Sequence, residues 1–361
     1  MTRGKPGPMR VVVCGTRFGQ VYLSALARAA PERYQLAGIV ARGSDRSVAL
    51  AKEYGVPLYG AVEELPDDID AACVVVSTAV GGGRGAELAR ALLERGVHVL
   101  QEHPLHPTEL ADCLRVARRT GTQYMVNTFY PHLEPVRRFI SSARRLVELR
   151  KPVFVDALCA VQVSFDLLDI LAEIFDGLRP WSLSPPAGGA GRPLVGVDGQ
   201  IAGVPLTLRV ENRMQAGDDS SSLLLHRITV GTDAGNLMLA NTHGPVIWSP
   251  VLRMPSDAAG HFLPGPSDAG ERWPDGLNVT GAYVGAAETP TWAGALHGVW
   301  GEGVLTALDR LRERAEAGAD PLRGGQRHLA VARAWQELTE SLGYPEVAAP
   351  EPGDPLTVAD L

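Results

Sequence analysis

Two short segments of this chain carry side chains that exchange protons near neutral pH. One reads Gln101-Glu102-His103-Pro104-Leu105-His106-Pro107 and the other Asn127-Thr128-Phe129-Tyr130-Pro131-His132. An imidazole titrates close to pH 7 and a phenol is a neutral donor, so His103 and Tyr130 are candidates for general acid chemistry. Nearby prolines restrict the backbone of each segment and favour a rigid site. A third segment, Cys14-Gly15-Thr16-Arg17-Phe18-Gly19, has the small residues of a tight strand-to-helix turn. Such a turn points backbone N–H groups and the positive end of a helix at a phosphate, although the same glycines also serve a turn that binds nothing.

For these segments to meet, the first half of the chain must hold them on one sheet edge. Val11-Val12-Val13 precedes the glycine turn, a helical pattern follows over 20–30, and Leu36-Ala37-Gly38-Ile39-Val40 completes one βαβ unit. Further helical patterns over 44–54, 85–95 and 108–120 alternate with apolar runs at 56–59, 71–76, 97–100 and 124–126. Short apolar strands alternating with helices predict a parallel sheet covered on both faces, with ligands bound beyond the carboxyl ends of the strands. The expected class is an α/β Rossmann dinucleotide-binding domain over 1–150. In it, Gly15, Thr16, Arg17, Phe18 and Gly19 face the pyrophosphate, and Ser77 and Thr78 approach the nicotinamide ribose.

The second strand of that unit selects the cofactor. It ends Val40-Ala41-Arg42-Gly43-Ser44-Asp45-Arg46, with no acid directly at its tip to receive ribose hydroxyls. Arg42, Ser44 and Arg46 can instead donate to a 2′-phosphate, so NADPH is expected over NADH. The other reading is Ser44 as an ordinary helix N-cap beside solvated arginines, and Asp45 keeps it open.

Beyond Lys151 the pattern changes to longer strand candidates at 153–163, 206–212, 223–230 and 237–240, interrupted by one helix at 165–175. Clustered strands after a βα series predict a separate α+β domain with a mainly antiparallel open sheet, placed at 151–325. A helix at 326–342 is free to pack back on the first domain, and 343–361 forms a tail. On the interrupting helix, Asp166 and Asp169 lie three apart, spacing that lets two carboxylates share a proton, bind a cation or simply favour the helix dipole. His226 and His243 are further candidates to line the cleft. The Gly- and Pro-rich stretch 254–291 is long for a connection and is expected to form a lid or a subunit contact.

Several of these segments together resemble one family. Gln101-Glu102-His103-Pro104 is similar to the Glu-Lys-Pro element of the Gfo/Idh/MocA oxidoreductases, with His103 in place of the lysine. With the glycine turn, Gly43-Ser44 and Arg46-Ser47, Gly96-Val97-His98-Val99, the Tyr130 segment and Gly244-Pro245-Val246-Ile247-Trp248, the chain resembles the thiazolinyl imine reductases of siderophore assembly. The resemblance implies NADPH-dependent reduction of a thiazoline C=N to a thiazolidine, on an intermediate held as a thioester by a nonribosomal peptide synthetase carrier domain. It also implies a homodimer, His103 or Tyr130 as proton donor, and Glu102 on the cofactor side. The superfamily's sugar enzymes carry a catalytic histidine on the interrupting helix, and the segment Ser164-Phe165-Asp166-Leu167-Leu168-Asp169 has none. That departure disfavours the alternative of a sugar or cyclitol dehydrogenase. A non-catalytic NADP-sensing regulator is the other alternative.

Composition bounds the remaining classes. A chain of 361 residues with 45% hydrophobic and 21% charged residues is long enough for two cores. A net charge of −7 argues against nucleic acid as the main partner. Cys14, Cys73, Cys113 and Cys159 are far apart, with no metal-ligand spacing, and read as buried thiols in a reducing compartment. No apolar run approaches the about 20 residues that cross a bilayer, so a cytoplasmic protein without membrane contact is expected. Arg137, Arg138, Arg144, Arg145, Arg150 and Lys151 follow the Tyr130 segment and, on a helix, form either a solvated face or a docking patch for an acidic carrier.

Overall fold

The computed structural model describes residues 7–76, 83–187, 192–215, 222–252, 259–261, 279–348 and 356–361. Six parallel strands, β1 (Met9–Cys14), β2 (Tyr34–Val40), β3 (Leu58–Tyr59), β4 (Ala71–Val74), β5 (His98–Glu102) and β6 (Tyr124–Asn127), lie in the order β3-β2-β1-β4-β5-β6. This is the doubly wound order whose ligand crevice opens where the chain direction reverses, between β1 and β4. The Val11, Val12, Val13, Ala71, Ala72 and Cys73 side chains are fully buried, as the continuous apolar runs require of strands covered on both sides. The flanking helices are α1 (Gly19–Arg28), α2 (Asp45–Tyr54), α3 (Arg84–Glu94) and α4 (Pro107–Thr120). Punctuation is local: Ser44 caps α2, Pro107 opens α4, and Gly55 and Gly121 end these helices at φ +62° and +71°.

After α5 (Glu134–Leu149), the chain enters β7 (Pro152–Ala160), then α6 (Ser164–Ile174), and then the strands of a second sheet. These are β8 (Trp181–Leu183), β9 (Leu194–Ile201), β10 (Val204–Glu211), β12 (His226–Thr232), β13 (Gly235–Leu239), β14 (Val246–Pro250) and β15 (Ala282–Tyr283), while β11 (Arg213–Gln215) stands outside that sheet. Eight strands pair in the order β15-β14-β13-β12-β7-β10-β9-β8, all antiparallel except β7 with β10. The expected α+β class holds. The strand candidate 153–163 ends early because Val161–Val163 turns into a 3₁₀ segment leading into α6. Strands β8, β9 and β14 were not expected. Two glycines interrupt β9, and Pro250 ends β14, which blunts the alternation that marks a strand.

Two C-terminal helices return to the first domain. The helix α7 (Trp300–Glu316), placed with 151–325 in the sequence reading, packs on α1. The last helix, α8 (Pro321–Leu342), begins five residues before the expected start and packs on α4, β6 and α6. The final strand β16 (Glu346–Ala348) pairs with β11. Most of 254–291 lies outside the described residues, and its last part supplies β15. Among the described residues, no helix is long and apolar enough to cross a membrane. All four cysteines are buried and unpaired with one another.

Candidate active site

The carboxyl ends of β5 and β6 bring the two proton-bearing segments together, because Glu102 is in parallel register with Asn127 and the His103 N–H donates to the Asn127 carbonyl at 3.1 Å. The His103 imidazole then reaches across to the second domain. Its Nδ1 lies 2.9 Å from Glu102 Oε1, and its Nε2 lies 3.0 Å from Asp166 Oδ2, the first inward acid of α6. The ring stacks on Phe165, centroids 5.9 Å apart.

Burial opposes a charge on His103, but the Asp166 and Glu102 carboxylates outweigh it and raise the imidazole well above its ordinary value. Asp166 is fully buried, and burial pushes its carboxyl up to about 7 against the pull of His103. The contact is close but poorly aligned, since neither Asp166 oxygen accepts a hydrogen bond of good geometry. A buried carboxylate held this way is a proton site in waiting, since its charged form lacks full solvation.

A second network lies beneath Glu102. The Tyr22 hydroxyl on α1 donates to Glu102 Oε2, the Asn127 amide donates to the Tyr22 oxygen, and Asn127 Oδ1 accepts from the Phe129 N–H at 3.0 Å. Burial, then the charge of Glu102, raises the Tyr22 phenol, so Tyr22 stays neutral and fixes the carboxylate. Sequence reasoning missed Tyr22 and Asn127. The available signal was a tyrosine on the inward face of the helix after the glycine turn, where a buried hydroxyl needs a partner.

Phe129 adopts φ +54°, ψ −66°, and the Tyr130 N–H donates to the Thr128 carbonyl at 2.6 Å across it, closing a γ-turn. A bulky residue at positive φ is strained, and such strain persists only where the surroundings hold it. Here Phe129 is locked edge-on between Phe18 and Trp300, at 5.2 and 5.3 Å. The Tyr130 ring consequently faces the second sheet, edge to His226 at 5.0 Å. Burial, then Asp166 and Glu102, raises its phenol above the ordinary value.

The four substrate-side candidates separate. Only Asp166 touches His103. Asp169 accepts instead from Thr128 Oγ1 at 2.6 Å and from Arg327 Nε at 2.9 Å, so it ties α6 to α8 and to the Tyr130 loop, and the shared-proton pairing with Asp166 that the spacing allows does not form. His226 accepts from the Thr242 hydroxyl at Nδ1 and donates from Nε2 to the Val163 carbonyl. Both nitrogens are used inside the fold, and burial lowers the ring to about 4, so it buttresses Tyr130 rather than lining a cleft. His243 accepts from Trp300 Nε1 at 2.9 Å and lines two adjoining cavities of about 160 and 380 Å³.

The glycine turn has the shape a dinucleotide needs. Gly15 sits at φ +98°, and a Cβ there would strike the Val75 carbonyl, so only glycine lets β1 and β4 approach at the crevice. The first turn of α1 carries no acid, and its N-cap makes no side-chain hydrogen bond, leaving its leading N–H groups without a side-chain acceptor. These features fit a bound pyrophosphate. Gly19 lies where a Cβ would only touch Val13, and Phe18 turns its ring into the aromatic cluster with Tyr22, Phe129 and Trp300.

Two of the residues past the tip of β2 have local partners. Ser44 Oγ accepts from the Ser47 N–H as the cap of α2, and Arg46 donates to the carbonyls of Thr16 and Arg17. Both serve local structure, the reading that the sequence kept open beside a 2′-phosphate contact. Arg42 remains exposed past the tip of β2. Ser77 and Thr78 lie outside the described residues.

Residues 9–128 match the oxidoreductase family model with an NAD-binding Rossmann fold, Gfo/Idh/MocA, and residues 150–249 match the thiazolinyl imine reductase Irp3-like C-terminal domain. No curated protein matches the chain. Among solved structures, the fold is similar to the dehydrogenase MviM from Clostridium difficile, 13% identical over 92% of this chain and 99% of that one, with TM-score 0.64. It is similar also to an oxidoreductase from Agrobacterium radiobacter in complex with NAD+, L-tartaric acid and magnesium, 13% identical over 91% and 94%, TM-score 0.64. A third is UDP-N-acetylglucosamine 3-dehydrogenase GnnA from Acidithiobacillus ferrooxidans, 15% identical over 92% and 98%, TM-score 0.63. At these identities the likeness shows the fold alone, whereas the two family matches follow each other along the chain and meet where β5, β6 and α6 form the site. The chain belongs to the Gfo/Idh/MocA oxidoreductases, as a member with an Irp3-like second domain.

Proposed function

We propose that this oxidoreductase uses NADPH to reduce the C=N bond of a thiazoline to a thiazolidine, on an intermediate tethered as a thioester to a carrier domain. The observation that carries the reading is the Irp3-like match over 150–249, which includes α6 and Asp166, the partner of His103. The absence of a histidine on α6 supports it from the other side. Where a sugar enzyme needs a base to take a hydroxyl proton, this site instead holds an imidazole between two carboxylates, a store of protons to give.

When bound, NADPH supplies the hydride. The chain's part is to orient the imine and to protonate its nitrogen as negative charge develops there, a role that typically contributes 10²–10⁴-fold. His103 is the better acid of the two candidates, because the His103–Asp166 pair holds a proton near neutral pH while the Tyr130 phenol binds its own more tightly. Tyr130 donates a hydrogen bond from the neutral phenol. NADPH preference rests on Arg42 and on the lack of an acid at the tip of β2.

The homodimer belongs to the same proposal. Its contact would be the outer face of the second sheet, where Val153 and Phe154 are exposed beside the Asp156–Arg209 ion pair.

A stopped reaction of protein, NADPH and a small thiazoline thioester tests the reading. The expected product is heavier by two hydrogens, with one NADPH consumed for each; reduction of NADP+ by sugars, with thiazolines left unreduced by NADPH, would replace it with the sugar-dehydrogenase reading.

A further inference from the structure

The arginines of α5 do not form a uniform face. Arg145 pairs with Glu148, and Arg150 lies 3.8 Å from Asp233. Arg137, Arg138 and Arg144 instead line, with Arg310 of α7, a cavity of about 480 Å³ between α5, α6 and α7, and Arg137 also borders a neighbouring cavity of about 250 Å³ with Glu302 and Asp309. Two carboxylates border it. Glu134 is engaged by Arg138, and Glu173 by both Arg310 and Arg327. Arg137 and Arg144, seven apart and so on one side of α5, have no carboxylate partner among the described residues. Four guanidinium groups against two carboxylates leave a local excess of positive charge in a chain whose net charge is −7. Guanidinium forks match phosphate oxygens in pairs, so the chemistry this cavity selects is a phosphate group.

The cavity also has a direction. Glu134 and Arg138 line it on one side and, on the other, line the cavity of about 380 Å³ that contains His243, Pro245 and Val246. The Arg138 guanidinium lies over Gly285, where no side chain could fit. His243 stacks on Trp300, Trp300 abuts Phe129, and Tyr130 follows. From Arg144 back to Glu134 the helix spans about 15 Å at 1.5 Å per residue.

We infer that this basic cavity anchors the phosphodiester of a phosphopantetheine arm, and that the arm runs along the N-terminal half of α5, past His243, to present its thioester at Tyr130 and His103. The inference rests on the tethered-substrate reading above. It is distinct from a charge patch that grips the whole carrier, because it places the recognised phosphate on the arm itself.

The test compares two thiazoline thioesters that differ only by the phosphate, one on pantetheine and one on 4′-phosphopantetheine. The native protein is expected to favour the phosphorylated thioester by about tenfold in kcat/KM, the worth of one charge-assisted contact. Arg137→Ala with Arg144→Ala should bring that ratio close to one, while Arg115→Ala, a charge removed from the far surface of α4, keeps it. A native ratio near one, or a ratio that survives the double substitution, overturns the inference. If neither thioester is reduced, the functional reading fails, and calorimetry with phosphopantetheine and pantetheine decides the cavity by itself. Tighter binding of the phosphorylated arm, lost in the double variant, supports the anchor. Equal binding of the two, or inorganic phosphate binding as tightly as the whole arm, overturns it.

Discussion

His103 Nε2 and Asp166 Oδ2 lie 3.0 Å apart, although the two residues are 63 positions apart in sequence, one just past strand β5 and the other on helix α6. The contact joins the nucleotide-binding half to the Irp3-like half, and each half contributes a titratable group with a raised value.

That relationship predicts a titration. In Asp166→Asn the carboxylate that favours the imidazolium is gone while burial remains, so the His103 imidazole should titrate at lower pH than in the native protein. Imidazole resonances followed by NMR across pH 5–9 measure the shift. An unchanged His103 titration would show that Glu102 alone sets it.

The activity should follow the same proton. If the protonated His103–Asp166 pair delivers the acid, kcat falls as pH rises through the region above about 7, where Asp166 loses its proton. Asp166→Asn should displace that limb of the pH profile as well as lowering its maximum; a profile that falls toward acid would assign the pair as a base.

Asp169 has the opposite sign. Burial raises its carboxyl, but Arg327, His328 and the Thr128 hydrogen bond more than offset this and hold it below the usual range. Its folded value is depressed, so its stabilising contribution is present above about pH 4 and is lost as pH falls below that. Asp169→Ala should cost about 3 kcal/mol at pH 7, as when one partner of a buried pair is removed, and should flatten the acid limb of stability. Denaturant unfolding at pH 7 and pH 3 measures both.

At Gly15, substitution by alanine meets the Val75 carbonyl and a φ of +98°. A loss of about 1–3 kcal/mol is expected, together with weaker NADPH binding, because relief of the clash must open the turn that faces the pyrophosphate. Thermal melts with and without NADPH separate the two effects. At Arg42, alanine should raise the KM for NADPH about tenfold and leave NADH unaffected; equal effects on both cofactors would exclude a 2′-phosphate contact.

The first domain was legible in the sequence because most of its strands are short apolar runs alternating with helices, two of them with clear end signals at Ser44 and Gly121. The convergence of the segments that carry His103 and Tyr130 was legible for the same reason, since adjacent parallel strands deliver their carboxyl ends to one edge. What could not be read was who partners whom across the two halves. Asp166 and Asp169 look equivalent on a helical wheel, but α6 is buried on all sides, and its acids are divided between β5 and the last helix. His226 looks like a cleft residue until Thr242 and Val163 take both of its nitrogens. Ser44 and Arg46 read equally as phosphate contacts and as local structure, because a serine hydroxyl can cap a helix as acceptor and an arginine can brace a turn as donor.

The central claim is tested most directly by a single-turnover reaction with NADPH deuterated at the transferred position and a thiazoline thioester, comparing native protein with His103→Ala and Tyr130→Phe. The account predicts a thiazolidine carrying one deuterium at the former imine carbon, formed at least about 10²-fold more slowly by His103→Ala than by the native protein. Deuterium transfer to the carbonyl carbon of a keto sugar and none to the thiazoline would contradict the substrate, and full native rate in both variants would contradict the site.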